Sequence, residues 1–362
     1  MLAKTLPNRY VLWLFLIGYG CFFNNLIAQK HSMQNAFDSA AKNGFSGVGL
    51  VAERGKPVFY KATGYRHFET KEKLKESDIF ELASVSKQFT AMIIMMLQEK
   101  GMLTYDDTIG KYVSVSYPGI TIRHLLIHTS GLPDYQDIMD KYWDKSKVAG
   151  NPDILEYLNR YAPPALFVPG EKYTYSNTGY VLLASIAEKA SGKDFVTLCR
   201  EWIFKPLKMK DTDIRSLEEK ARVKNFAAGH LKDTTGQYQN ANKFHASDYT
   251  VWLGNRKGPG RISSTAKDLL KWDKALYTEK LVKQSTLQQA FTPYKLNNGS
   301  ISNYGFGWEI GTDKAKGNYV LHTGDNPGYK TIIIRYLDKR RTVIILNNNA
   351  SEAFKALEKI LE

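Results

Sequence analysis

Strand-forming segments lie at the two ends of this 362-residue chain, and helix-forming segments fill its middle. Near the start, Val48, Leu50 and Val51 run into a turn at Arg54-Gly55-Lys56-Pro57 and return through Val58-Phe59-Tyr60, a hairpin over 47–66. Near the end, strand patterns cover Tyr304 to Ile310, Tyr319 to Leu321, Thr331 to Tyr336 and Thr342 to Leu346, with Asp338-Lys339-Arg340-Arg341 as the last turn. Between them run helical stretches: Phe89 to Leu97 ended by Gly101, Tyr180 to Ala190 ended by Gly192, and Thr265 to Tyr277. A final helix, Glu352 to Leu361, puts Phe354, Leu357 and Leu361 on one face, with Ser351 as candidate cap. This arrangement predicts one sheet built from both ends of the chain, with a helical subdomain inserted. The sheet part is expected over about 29–83 and 286–362, and the helical part over about 84–285. The length exceeds the roughly 250–300 residues at which a single core stops growing, which agrees with two packed parts.

Hydrophobic residues make up 43% of the chain and charged residues 24%, an ordinary globular balance that excludes low-complexity and disordered classes. The two cysteines, Cys21 and Cys199, exclude a disulfide scaffold or a cysteine-rich zinc module. Cys199 lies in the apolar helical stretch Phe195-Val196-Thr197-Leu198-Cys199 and reads as a small buried hydrophobe. The N-terminus carries Lys4 and Arg9, then an apolar run from Val11 to Phe23, then a small residue, Ala28, before Gln29. That pattern predicts a leader over 1–28 cleaved after Ala28, with an uncleaved anchor as the alternative. Cys21 has Gly18, not leucine, three residues before it, so it does not read as a lipid anchor site. The chain is therefore expected to be exported, either periplasmic or secreted. Its formal charge of +14 favours anionic envelope components over nucleic acid in that compartment. No obligate protein partner is inferred.

Several chemistries are missing from the text of the chain. It has no G-x-x-x-x-G-K-[ST] phosphate loop and no H-E-x-x-H zinc helix. Gly44-Phe45-Ser46-Gly47-Val48 lacks the last glycine of a strained serine elbow. His124 and His128 are four apart, but Thr129-Ser130-Gly131-Leu132-Pro133 breaks the helix at once, so no metal site and no cofactor are expected.

A serine hydroxyl is a weak nucleophile and needs a base within hydrogen-bond reach. A lysine three residues later on a helix provides one. S-x-x-K occurs as Ser39–Lys42, Ser84–Lys87 and Ser264–Lys267. Only Ser84 heads a very apolar helix, Met92-Ile93-Ile94-Met95-Met96-Leu97, whose burial lowers the pKa of Lys87 and suits it as a base. Ser86 is the alternative hydroxyl, without a lysine three on. Y-x-N also occurs three times, and only Tyr175-Ser176-Asn177 lies in a turn-rich loop just before a helix, where Tyr157 and Tyr238 do not. A phenol near a lysine ammonium has a depressed pKa and can shuttle a proton. The one [KH]-T-G, His322-Thr323-Gly324, closes a strand and leads to Asp325; its glycine would let a substrate approach the strand closely.

Taken together, these elements resemble the penicillin-recognising serine hydrolases, specifically the class C β-lactamase and DD-peptidase group with its esterase and aminopeptidase relatives. The stretches from Thr121 to Pro133 and from Gly260 to Leu269 are similar to that family as well. The resemblance implies an α/β fold of the α+β type, β-lactamase/transpeptidase-like, with an antiparallel sheet flanked by helices beside the helical subdomain. It implies that Ser84 is acylated, that Lys87 and Tyr175 move its proton, and that Asn177 binds a substrate amide. Substrate contacts are carried over to His322, Thr323, Gly324 and Asp325, with the backbone N–H groups of Ser84 and Asp325 as the oxyanion hole. Typical β-lactamases of this class have lysine at the position of His322, so efficient lactam hydrolysis is not implied. With an unperturbed pKa near ~6.5, His322 is expected to lose its charge within the working pH range and to anchor a substrate carboxylate only below it.

Overall fold

The computed structural model describes residues 29–361; the leader, its cleavage point and Cys21 lie outside the described residues. A helix over 29–42 (α1) precedes strands β1 (Gly47–Glu53) and β2 (Lys56–Thr63). Arg54 and Gly55 join them, both with positive φ, 50° and 73°. Two such residues make the hairpin turn whose twist matches that of its strands. Far along the chain come β3 (Glu309–Asp313), β4 (Gly317–Asn326), β5 (Tyr329–Tyr336) and β6 (Arg341–Asn347). They form one antiparallel sheet in the order β3-β4-β5-β6-β1-β2. The two ends of the chain meet where β1 pairs with β6, from Gly47 opposite Asn347 to Glu53 opposite Arg341.

Both faces of the sheet are covered. The run Ile332-Ile333-Ile334 alternates between them, as a strand must. Ile332 and Ile334 join Phe37 of α1 and Phe354 of the last helix, α5 (Ala353–Leu361). Ile333 faces the larger core with Phe89 and Trp272. Phe89 belongs to α2 (Lys87–Glu99) and Trp272 to α4 (Ala266–Ala275), and their rings stack at 4.3 Å. Complete burial of one such side chain is worth about 1.5–3 kcal/mol. Helix α3 (Asn177–Ser191) packs against α2, capped by Ser176 at its start and stopped by Gly192 with φ of 70°.

Two elements differ from the sequence reading. The strand expected from Tyr304 begins only at Glu309, because Gly305 and Gly307 fold the chain onto its neighbours. A Cβ on Gly305 would sit 2.0 Å from the Ala290 carbonyl oxygen. Strand β4 runs five residues past the expected end, through His322 to Asn326, while β3 pairs only with Gly317 to Leu321. The last stretch of β4 is thus left beside the helical part, where the functional side chains gather.

Candidate active site

Ser84 sits in a short 3₁₀ turn, Ala83–Ser86, immediately before α2, rather than on the α-helix itself. The turn hangs from a small strand: Leu82 donates to the Ile262 carbonyl at 2.8 Å. Ala83 is held at φ of 48°, a left-handed conformation that costs a non-glycine residue about 1–2 kcal/mol. Ser86 is fully buried and its hydroxyl accepts from the Ile262 N–H, so it faces the core and not the cleft. Ser84 is half-buried and open on one side.

One turn on, Lys87 is wholly buried, whereas Lys42 and Lys267 of the other two S-x-x-K matches are exposed. The Lys87 Nζ lies 3.1 Å from Ser84 Oγ, 2.8 Å from Asn177 Oδ1 and 3.0 Å from the Pro259 carbonyl oxygen. Burial first, and then the Arg256 guanidinium, push its pKa well below the ordinary lysine value, against a weaker pull from Asp134. In its free-amine form Lys87 has two N–H donors and one lone pair, and with the donors on the two carbonyl oxygens the lone pair is left for the hydroxyl of Ser84.

Tyr175 arrives from the loop before α3, its ring centroid 4.7 Å from the lysine nitrogen. Its pKa is raised, not depressed as the sequence reading expected. Burial raises it, and the hydrogen bond with Ser84 only partly offsets that. Burial outweighs the charge effect on which the depression was expected to rest. Tyr175 is still 39% exposed, so solvent moderates the rise that complete burial would give.

The loop is held by a residue that sequence reasoning set aside. His128 accepts at its backbone oxygen from Thr174 N–H, 2.9 Å, and at Nδ1 from Ser176 N–H, 3.1 Å. Its ring lies 4.4 Å from that of Tyr175. It thus grips three consecutive residues around the phenol. Its own φ of 58° and its buried, unpartnered Nε2 mark the strain of that position. His124, the other half of the rejected metal pair, closes a capping box with Thr121 instead.

The end of β4 forms the opposite wall. Alternating burial puts His322, Gly324 and Asn326 on the packed face and the side chains of Thr323 and Asp325 on the exposed one. The side chains of Thr323 and Asp325 therefore lie on the face away from His322 and Gly324. Gly324 serves a different purpose from the one expected. A Cβ there would sit 2.2 Å from the Leu82 carbonyl oxygen, so the close approach belongs to the chain's own nucleophile turn. Thr331, opposite Gly324 in the register, secures that turn by donating to the same carbonyl at 2.8 Å.

His322 departs furthest from expectation. It is 1% exposed, and burial, reinforced by Lys87, lowers its pKa to about 3. Nδ1 lies 2.6 Å from the Thr323 carbonyl oxygen and Nε2 lies 2.8 Å from the Tyr304 hydroxyl. A carbonyl can only accept, so Nδ1 carries the proton and Nε2 accepts from Tyr304. The ring is neutral from pH 5 to 9 and offers no cation to a carboxylate.

A family model described as Beta-lactamase matches residues 29–361. One of the penicillin-binding proteins of Bacillus subtilis (strain 168) is 40% identical over 344 residues, covering 92% of this chain and 76% of that protein. Among solved structures, the octameric penicillin-binding protein homologue from Pyrococcus abyssi superposes with a TM-score of 0.78 at 26% identity, covering 91% of this chain and 76% of that one. A D-amino acid amidase from Ochrobactrum anthropi superposes at 0.74 over 92% of this chain and 97% of that one; at 22% identity this is a likeness of fold alone.

Proposed function

The chain belongs to the beta-lactamase family of serine hydrolases, and on that premise we propose that it turns over a small amide or ester through an acyl-enzyme on Ser84. The observation that carries this reading is the buried Lys87 Nζ, 3.1 Å from Ser84 Oγ and within hydrogen-bond reach of two carbonyl oxygens, in surroundings that push its pKa well down. In the first step Ser84 Oγ bonds to the substrate carbonyl carbon and its proton passes to Lys87 Nζ. The carbonyl oxygen takes the negative charge and is met by the backbone N–H groups of Ser84 and Asp325. Aligned donors of this kind are worth about 2.7–4 kcal/mol each in other hydrolases. The leaving nitrogen or oxygen then departs with a proton delivered through Tyr175, whose raised pKa keeps the phenol protonated and able to donate. Water releases the acyl group by the reverse path, with Lys87 again taking the proton. Asn177, one side of whose amide already binds Lys87, positions the substrate amide.

Neutral His322 favours substrates that need no cationic anchor, an ester or an amide of the D-amino-acid type, over carboxylate-bearing lactams. Carboxylesterase is therefore the nearest rival activity, and a penicillin-binding sensor with poor turnover is the rival of another kind. Export rests on the N-terminal pattern of charge and apolar run.

The test is covalent labelling followed by turnover. A fluorophosphonate probe should add once to the wild-type protein and to Ser39→Ala and Ser264→Ala, and not at all to Ser84→Ala. Labelling that survives in Ser84→Ala removes the nucleophile assignment. Steady-state rates on p-nitrophenyl acetate, a D-Ala-D-Ala peptide and nitrocefin then separate esterase, peptidase and lactamase; a burst with no steady state identifies the sensor.

A further inference from the structure

Three hairpin turns close one end of the main sheet, and each carries cations. The β1–β2 turn holds Arg54 and Lys56, the β3–β4 turn Lys314 and Lys316, and the β5–β6 turn Lys339 and Arg340. The strand register puts all three at the same end, with Glu53 opposite Arg341, Tyr336 opposite Arg341 and Tyr319 opposite Tyr336. Two of the turns touch, since Lys339 Nζ donates to the Ala315 carbonyl at 2.7 Å. Lys316 is half-buried and the other five cations are exposed. The carboxylates at this end are turned into the fold. Glu53 accepts from Arg341 at 2.8 Å, Asp313 accepts from the N–H groups of Ala315 and Lys316 at 2.8 and 2.7 Å, and Asp338 accepts from the Asn318 N–H at 2.8 Å. At the opposite end of the sheet the β4–β5 turn is Asn326-Pro327-Gly328-Tyr329 and β6 runs out through Asn347-Asn348-Asn349, with no cation in either.

Helix α1 also begins at the basic end. Gln29 and Met33 share the wall of a cavity of about 420 Å³ with Lys316, Lys339 and Arg341. Residues 1–28 therefore join the fold beside these cations, and the apolar run from Val11 to Phe23 belongs to that segment. An apolar segment and a polybasic face are each a weak membrane signal, and together they reinforce one another.

We propose that this end of the sheet docks on an anionic lipid bilayer, its turn cations on the headgroups. The end of a six-stranded sheet is about 25 Å across, broad enough to meet a plane of headgroups rather than a single anion. A soluble anionic polymer would engage the cations alone, whereas a bilayer takes both the cations and the apolar run that joins the fold beside them. The face is separate from the hydrolytic cleft and does not depend on the activity proposed for it. Gly324 lies about 23 Å along β4 from Gly317, so docking by the turns holds the cleft away from the lipid and open to the compartment.

Vesicle co-sedimentation of the full chain tests this. Vesicles with about 30% phosphatidylglycerol should bind at least tenfold more tightly than phosphatidylcholine alone, and about 0.5 M salt should abolish that gain. Lys56→Glu with Lys314→Glu should lose the gain at least tenfold while leaving capture by neutral vesicles unchanged. Lys339→Glu with Arg340→Glu should do the same, which keeps the test decisive if one variant does not fold. Lys189→Glu with Lys224→Glu, two exposed lysines of the helical part, changes the net charge equally and should keep the gain within threefold. Equal binding to both vesicles overturns the proposal, as does a gain that survives in a folded turn variant. A control that loses as much as the turn variants assigns the effect to total charge and overturns it too. So does soluble polyglutamate that binds as tightly as the phosphatidylglycerol vesicles, since the partner would then be a polymer.

Discussion

Two cations are buried in this molecule with equal completeness and opposite consequences. Arg335, on β5 in the sheet, and Lys87, at the start of α2, are each 0% exposed. Arg335 Nε meets Asp273 of α4 at 2.6 Å, and the rings of Tyr277, Phe291 and Trp308 lie 4.6–5.7 Å from its guanidinium carbon. Its charge is matched, so it pins the helix to the sheet as a permanent ion. Lys87 has two carbonyl oxygens, a hydroxyl and aromatic faces around it, with no carboxylate in contact and Arg256 pressing on it. The same desolvation therefore pushes its pKa well down. What separates a structural cation from a base is the partner set, since burial is common to both.

The comparison is broken most severely by removing each cation's function in turn. Lys87→Met keeps the length and removes the lone pair; kcat/KM for p-nitrophenyl acetate should fall by about 10²–10⁴-fold while the urea midpoint stays or rises. A loss of less than tenfold would show that Lys87 is no base. Asp273→Asn strips the partner from Arg335 and should cost about 3–5 kcal/mol in urea unfolding, with activity per folded molecule unchanged. A change within 1 kcal/mol would mean that the aromatic faces alone carry the guanidinium. Arg256→Gln sharpens the contrast with the smallest effect. Lys87 works as the free amine, so kcat/KM climbs as pH rises through its depressed pKa. Arg256 helps to depress it. Its removal lifts that value, and the climb should move to higher pH. A climb that stays in place or moves down would exclude Arg256 from tuning the base.

Sequence periodicity located what depends on near neighbours. The hairpin at β1–β2, the stop at Gly192 and the pairing of both chain ends in one sheet follow from alternation and turn residues. The family resemblance and the β-lactamase/transpeptidase-like fold class stand with the family match and the superposed structures. The spacing of Ser84 and Lys87, and of Tyr175 and Asn177, brought those four together in space. Other parts of the site come from contacts across long stretches of chain, which periodicity does not carry. Pro259 supplies an acceptor to Lys87 from 172 residues away. His128 was weighed only as a metal ligand, because nothing in the motif says that residues 174–176 will fold onto it. The charge state of His322 turned on its burial against Tyr304, which lies in the segment misread as strand.

The seam between β1 and β6 sets a timetable. Ser46, just before β1, donates its N–H to the Asn349 side chain, 303 residues later in the chain. At a synthesis rate of about 5–20 residues per second, the early hairpin waits about 15–60 s for the strand that completes its sheet. Throughout that interval the Ser84–Lys87 pair can exist as sequence but the β4 wall of the cleft cannot. The cleft therefore cannot assemble until synthesis has passed β4 and the strands that seat it.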